Sequence, residues 1–147
     1  MSMELPVQKL LGEHLGAVAE LERSVFAEPW SEKALELLLT DGAYGMVCLQ
    51  NGEALAYGGL LVALDEGQIT NIAVRADQRR KGLGRAVLTA LEAEARKRGL
   101  VQISLEARVS NVAAIALYES LGYKTEGRRH GFYRHPTEDA LVMIKQL

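Results

Sequence analysis

The chain has 147 residues, 48% hydrophobic and 24% charged, with a net charge of −2 and a pI near 5.9. These are ordinary globular values, and a lone cysteine rules out an internal disulfide. No apolar run approaches the roughly 20 residues needed to span a bilayer and no signal peptide is visible, so a cytoplasmic single domain over residues 1–147, with no membrane partner, is expected.

The stretch Leu5 to Leu10 carries a weak strand pattern. From Leu11 to Phe26 the apolar residues Leu15, Val18, Ala19, Leu21, Val25 and Phe26 recur at helical spacing and predict an amphipathic helix, broken by Pro29-Trp30-Ser31. Ser31 then reads as the N-cap of a second helix, Glu32 to Leu39, with Gly42 as its stop. Tyr44 to Leu49 and Ala54 to Leu64 read as strands joined at Asn51-Gly52, a dipeptide suited to the positive φ angles of a tight hairpin. Cys48 lies among Met46, Val47 and Leu49 and reads as a core thiol rather than a nucleophile. Gly58-Gly59 inside the second of these strands predicts a bulge or a close backbone approach. A turn at Asp65-Glu66-Gly67 leads into a third strand, Gln68 to Val74.

After Gly82 comes a helix with Leu83, Val87, Leu91 and Ala95 on one stripe, ended by Gly99. Glu92/Arg96 and Glu94/Arg98 stand at i,i+4 in the favourable order, worth about 0.3 kcal/mol each. Val101, Ile103 and Leu105 alternate with Gln102, Ser104 and Glu106, giving a strand with one buried face. Ser110-Asn111 caps a helix from Val112 to Leu121, Gly122 ends it, and Tyr123 to Arg128 and Ala140 to Ile144 supply two closing strands. A strand, helix, strand unit from Gln68 to Glu106 implies a parallel pair, so the fold is α/β: a mixed, mostly antiparallel sheet with a central parallel pair, flanked by helices.

Ligands of open α/β sheets collect beyond the carboxyl ends of parallel strands, where Val74 and Glu106 both lie. The run Arg79-Arg80-Lys81-Gly82-Leu83-Gly84-Arg85 before the long helix has the form of an anion cradle, because a helix N-terminus offers unpaired N–H groups and about half a positive charge. It also fits a basic turn whose glycines only bend the chain. Charge is divided unequally: up to Val74 there are 3 Lys+Arg against 11 Asp+Glu, and beyond it 14 against 8. A basic second part suits a phosphorylated ligand and an acidic first part a cationic one, whereas the pI disfavours nucleic acid. No His or Cys spacing suggests a metal.

Glu106 in a partly desolvated cleft could act as a general base, or be a glutamate paired with Arg108. Asn111 and Tyr118 share a helix face two turns apart; the first is a cap, and the second is either core or a phenol whose tip reaches the cleft.

The run Arg79-x-x-Gly82-x-Gly84 after a strand resembles the acetyl-CoA pyrophosphate motif of the GCN5-related N-acetyltransferases (GNAT). Phe26-x-x-Pro29-Trp30-Ser31, Asn71-Ile72-Ala73-Val74, Leu105-Glu106-x-Arg108 and Ser110-Asn111-x-x-Ala114-x-x-Leu117-Tyr118-x-x-x-Gly122-Tyr123 together look like the RimI-type ribosomal-protein-alanine N-acetyltransferases, over about Phe26 to Met143. The resemblance implies a GNAT fold and acetyl-CoA as cosubstrate. Ile72, Ala73 and Val74 would offer it backbone groups, Arg80, Lys81, Gly82, Leu83, Gly84 and Arg85 would hold its pyrophosphate, and Asn111 would touch it further along. Glu106 matches the family's proton acceptor and Tyr118 its proton donor. The implied partner is a protein N-terminus, that of a ribosomal protein with N-terminal alanine, met by Trp30 and Tyr133, although packing explains those two aromatics equally well. Phe132 and His135-Pro136-Thr137 depart from the family's aromatic pair and turn. Two other expectations stay open: an acetyltransferase for a small amine or lysine side chain, and a non-catalytic acyl-CoA-binding regulatory module.

Overall fold

The computed structural model describes residues 6–147, so Leu5 of the predicted first strand lies outside the described residues. Seven strands form one sheet: β1 (Val7–Lys9), β2 (Ala43–Gln50), β3 (Glu53–Ala63), β4 (Glu66–Val74), β5 (Gln102–Arg108), β6 (Lys124–Tyr133) and β7 (Glu138–Gln146), in the order β1-β2-β3-β4-β5-β7-β6. Among the described residues only β4 and β5 pair in parallel. Among the described residues four α-helices complete it: α1 (Leu15–Val25), α2 (Glu32–Leu35), α3 (Leu83–Lys97) and α4 (Val112–Ser120).

Strand alternation sorts the core onto two faces. Tyr44, Met46 and Cys48 of β2 turn toward the apolar stripe of α3 (Leu83, Val87, Leu91, Ala95), while Val47 and, from β3, Tyr57 join Leu15, Val18 and Leu21 of α1 on the other face. Cys48 is fully buried and burial pushes its thiol up, as a core thiol requires. Among the described residues, no helix is long and apolar enough to cross a membrane.

Several boundaries differ from expectation for local reasons. The first helix begins at Leu15 because Gly12–His14 form a 3-10 turn in which the Leu11 N–H donates to His14 Nδ1 at 2.9 Å. Ser31 does cap α2, its Oγ accepting the Ala34 N–H, but the helix tightens into a 3-10 turn over Glu36–Leu39 and stops at Thr40 rather than Gly42. Asn51 and Gly52 adopt the expected positive φ angles, 53° and 78°. The next turn is shorter than predicted: Leu64 takes a φ of 57° and β4 already starts at Glu66. The last hairpin is much longer than predicted. Its edge strand β6 is exposed along Lys124–Phe132 and lacks an apolar alternation, so no period-two signal marked its continuation beyond Arg128.

Gly58 and Gly59 are positions of close approach. A side chain at Gly58 would sit 2.7 Å from Ile72 Cδ1, and one at Gly59 2.5 Å from Thr70 Oγ1. The bulge itself belongs to the partner strand: between the Gly58/Ile72 and Leu60/Ile69 pairs, β4 carries one residue more than β3.

Candidate active site at the gap between β4 and β5

The parallel pairing of β4 with β5 covers only Glu66–Gln68 against Gln102–Ser104. Beyond it the strands part, and β5 continues instead along β7, with Glu106 opposite Val142. This leaves the last residues of β4 with one side bare. The Arg75 N–H donates to the Leu55 carbonyl. Since ladder bonds alternate, Ala73 also turns its backbone groups to β3, while Ile72 and Val74 turn theirs into the gap. Of the three backbone residues singled out in sequence, two therefore face the gap; Ala73 is buried on the α1 side.

The segment Arg79 to Arg85 wraps the end of β4. Arg79 Nε donates to the Val74 carbonyl at 3.3 Å, Arg80 and Gly82 adopt φ of 66° and 82°, and α3 starts at Leu83. Gly82 occupies the N-cap, and having no side chain it leaves the first N–H groups of this four-turn helix uncapped. A side chain at Gly84 would lie 3.4 Å from Leu117 of α4 and 3.5 Å from Val74. The helix N-terminus, the end of β4 and α4 thus meet at one place. Lys81 Nζ reaches Gln78 at 3.5 Å, and the Arg85 guanidinium donates to Ser120 Oγ on α4 at 2.8 Å. Asn111 is the N-cap of α4, its Oδ1 accepting the Ala114 N–H. Apart from Glu119 and Ser120 that helix is apolar, and Val112 at its start is 72% exposed.

Glu106 and Tyr118 approach the gap from opposite faces. Leu105 and Ala107 pack with Tyr118 on the α3 side, so Glu106, between them on β5, points to the other side. Its carboxylate is 14% exposed, and its cation is Arg129 of β6, Nε to Oε1 at 3.6 Å, not Arg108. Arg108 is engaged elsewhere, its guanidinium 4.4 Å from the Tyr133 ring centroid and bonded to the loop after it. Burial, then the neighbouring Tyr133, pushes the Tyr118 phenol up to about 12. Burial, then the Glu106 carboxylate, does the same to Tyr133 against the pull of Arg108, again to about 12. Both phenols are thus protonated at neutral pH, and Tyr133 is close enough to feel both Glu106 and Tyr118.

Trp30 lies on the α1 side, in the loop between α1 and α2. That loop is fixed by Glu22, a fully buried carboxylate on the apolar stripe of α1. Glu22 Oε1 accepts the Trp30 N–H at 2.8 Å, and Oε2 accepts the Tyr57 hydroxyl and, at 2.9 Å, the Asn71 amide on the β4 bulge. Burial and the Glu22 charge push the Tyr57 phenol well above its ordinary value. The signal was present, since Glu22 sits four residues after Val18 and four before Phe26 on the apolar stripe. Glu28 of the same loop meets His135 of the β6–β7 loop at 3.3 Å, so the segments carrying Trp30 and Tyr133 touch.

The expected Glu92–Arg96 pair is replaced by a buried one. Glu92 is 4% exposed and accepts from the Tyr123 hydroxyl (2.8 Å) and Lys145 Nζ (2.9 Å), tying α3 to the sheet.

Residues 15–123 match the Acetyltransferase (GNAT) family. The chain is 43% identical over 133 residues to the ribosomal protein bS18-alanine N-acetyltransferase of Escherichia coli K12, covering 88% of each. It is 32% identical over 145 residues to the putative enzyme of that name from Bacillus subtilis, covering 97% of this chain and 96% of that one. The crystal structure of the ribosomal-protein-S18-alanine N-acetyltransferase from Escherichia coli superposes with a TM-score of 0.89 at 39% identity, over 97% of this chain and 94% of the other. With the splayed parallel pair, the glycine-capped helix and these relatives together, the chain belongs to the GNAT family of acetyltransferases.

Proposed function

We propose that the chain transfers the acetyl group of acetyl-CoA to the α-amine of a protein N-terminus, that of a ribosomal protein beginning with alanine. One arrangement carries the chemistry: beyond Gln68 and Ser104 the parallel strands no longer pair, the uncapped N-terminus of α3 and Tyr118 belong to one side of the sheet, and Glu106 points to the other. A cosubstrate on the first face and an amine on the second can meet there without a covalent enzyme intermediate.

The site fits the cosubstrate. The N–H groups at Leu83, Gly84 and Arg85, with Arg80, Lys81 and Gly82, hold its pyrophosphate, and Ile72, Val74 and Asn111 line its path toward the gap. Bound there, acetyl-CoA supplies the thioester. Glu106 takes a proton from the acceptor amine, directly or through a water, because an α-amine with a pKa near 8 is mostly protonated at pH 7. The Val74 N–H donates to the oxygen on which negative charge develops. Tyr118 gives its proton to the departing thiolate sulfur, and its raised pKa keeps that proton available.

The acceptor is read from the lip of the gap. On this reading the acceptor enters between the segments that carry Trp30 and Tyr133, which touch through Glu28 and His135, and the exposed Glu28, Glu32 and Glu36 outnumber Lys33 along the first of them, favouring a substrate whose leading residues are basic. The relatives named as bS18-alanine N-acetyltransferases support the substrate class. The test is a peptide panel read by mass spectrometry, with free and blocked N-termini, alanine and other first residues, and internal lysines. The proposal expects acetylation of free N-termini, with alanine preferred and basic following residues favoured. Exclusive labelling of lysines or small amines would overturn the substrate, and acetyl-CoA binding without turnover on any amine would overturn the activity.

A further inference from the structure

Arg108 lies two residues beyond Glu106 on the same face of β5, and no role above accounts for it. Its guanidinium serves three partners by hydrogen bonding. Nη1 donates to the Pro136 carbonyl at 3.0 Å and to Glu138 Oε1 at 3.1 Å, and Nη2 donates to the Arg134 carbonyl at 3.0 Å. Its plane stacks on Tyr133 with 4.4 Å to the ring centroid. The second oxygen of Glu138 accepts the Ser110 N–H at 2.7 Å, and hydrogen bonding from Ser110 holds this carboxyl below its usual range. Ser110 directly precedes the Asn111 cap of α4, the helix that carries Tyr118.

One planar group therefore joins the strand of Glu106, the ring of Tyr133, the loop of residues 134–138 and, through Glu138, the start of α4. The loop needs such a tether. It closes a hairpin whose outer strand is exposed along nearly its whole length, and its register breaks between Arg129 and Tyr133. We propose that Arg108 is the positioning residue for the acceptor, fixing Tyr133 and the 134–138 loop so that the substrate's first residues present their amine to Glu106. This rests on the acceptor entering on the Glu106 face. The chemistry explains the residue type: a guanidinium forks to two carbonyls and a carboxylate in one plane while stacking on an aromatic ring, which an ammonium cannot do.

The test compares wild type with Arg108→Ala and Arg108→Lys in steady-state kinetics on an alanine-first peptide, alongside amide hydrogen exchange of the free proteins. Small misplacement at a reacting centre costs up to about 100-fold, so acceptor kcat/KM should fall about 10- to 100-fold in both variants, chiefly through acceptor KM. The KM for acetyl-CoA should stay within about twofold, since the Arg108 side chain touches no residue of the Arg79–Arg85 segment and its backbone carbonyl, which accepts the Asn111 N–H, is kept in both variants. Lysine should not rescue, whereas guanidinium ion at tens of millimolar should partly restore Arg108→Ala and methylammonium should not. Exchange should accelerate in the 134–138 loop and not in β5. An acceptor KM within twofold of wild type, full rescue by lysine, or an equal rise in both KM values would overturn the proposal. If the wild type acetylates no peptide, the proposed function fails alone, and the exchange measurement still decides whether Arg108 holds the loop.

Discussion

Replacing Glu22 should damage both stability and acceptor binding, and the structure sets the size of each. The side chain is fully buried and accepts three donors, from Trp30, Tyr57 and Asn71. In Glu22→Gln the shape is kept, but one carboxamide oxygen replaces two carboxylate oxygens and an NH2 group must face a donor. One hydrogen bond to a charged group, worth about 1.5–3 kcal/mol, is lost, and the other two weaken toward about 1 kcal/mol each. A net loss of about 3 kcal/mol follows, lowering Tm by about 6–12 °C at this chain length. Because two of the donors hold the Trp30 loop and the β4 bulge, acceptor KM should rise as well. The assay is thermal and urea unfolding of Glu22→Gln, Tyr57→Phe and the double variant. Tyr57 donates directly to Glu22, so the single losses should not add, with a coupling of about 1–2 kcal/mol. A Tm within about 2 °C of wild type, or strict additivity, would refute the assignment of Glu22 as the shared acceptor.

The pH profile offers a second check. Because the Tyr118 phenol is raised to about 12, it stays protonated, and so able to donate, at every pH below that value. Rate on a peptide should rise as the amine loses its proton near pH 8 and show no fall from phenol ionisation up to pH 10; a descending limb below pH 9 that vanishes in Tyr118→Phe would contradict this. Gly82→Ala probes the cradle, since φ there is +82° and nothing lies within 4 Å of the added carbon, so the strain is purely backbone. It should cost about 1–2 kcal/mol of stability and weaken acetyl-CoA binding measured by calorimetry, and unchanged affinity would remove Gly82 from the site.

The elements legible in the sequence were those whose burial is one-sided. Leu83, Val87, Leu91 and Ala95 mark α3 and Ile103 and Leu105 mark β5 because each stripe faces a single neighbour. Of β6 only the first half, Lys124 to Arg128, was legible, since an edge strand stabilised by its backbone and by charge pairs such as Arg128–Asp139 has no apolar period to carry the reading further. The place beyond Val74 and Glu106 was foreseeable, but the bulge of β4 opposite Gly58 and Gly59, just past the last parallel pair, was not, because its extra residue lies at Thr70-Asn71 where nothing in the sequence marks it. Partners of buried charges were the least legible. Glu106 pairs with Arg129 rather than Arg108, and Glu92 with Lys145 rather than Arg96, because sequence proximity favours i+2 and i+4 neighbours whereas the sheet brings in residues 23 and 53 positions away.

The central claim is that Glu106 removes the amine proton at a gap whose other face holds acetyl-CoA. Glu106→Gln tests it most directly, with turnover on a free-N-terminal peptide and acetyl-CoA binding measured on the same preparation. A fall in kcat of about 100- to 1,000-fold with acetyl-CoA affinity within about twofold of wild type is the predicted result. Undiminished turnover at unchanged affinity would contradict it.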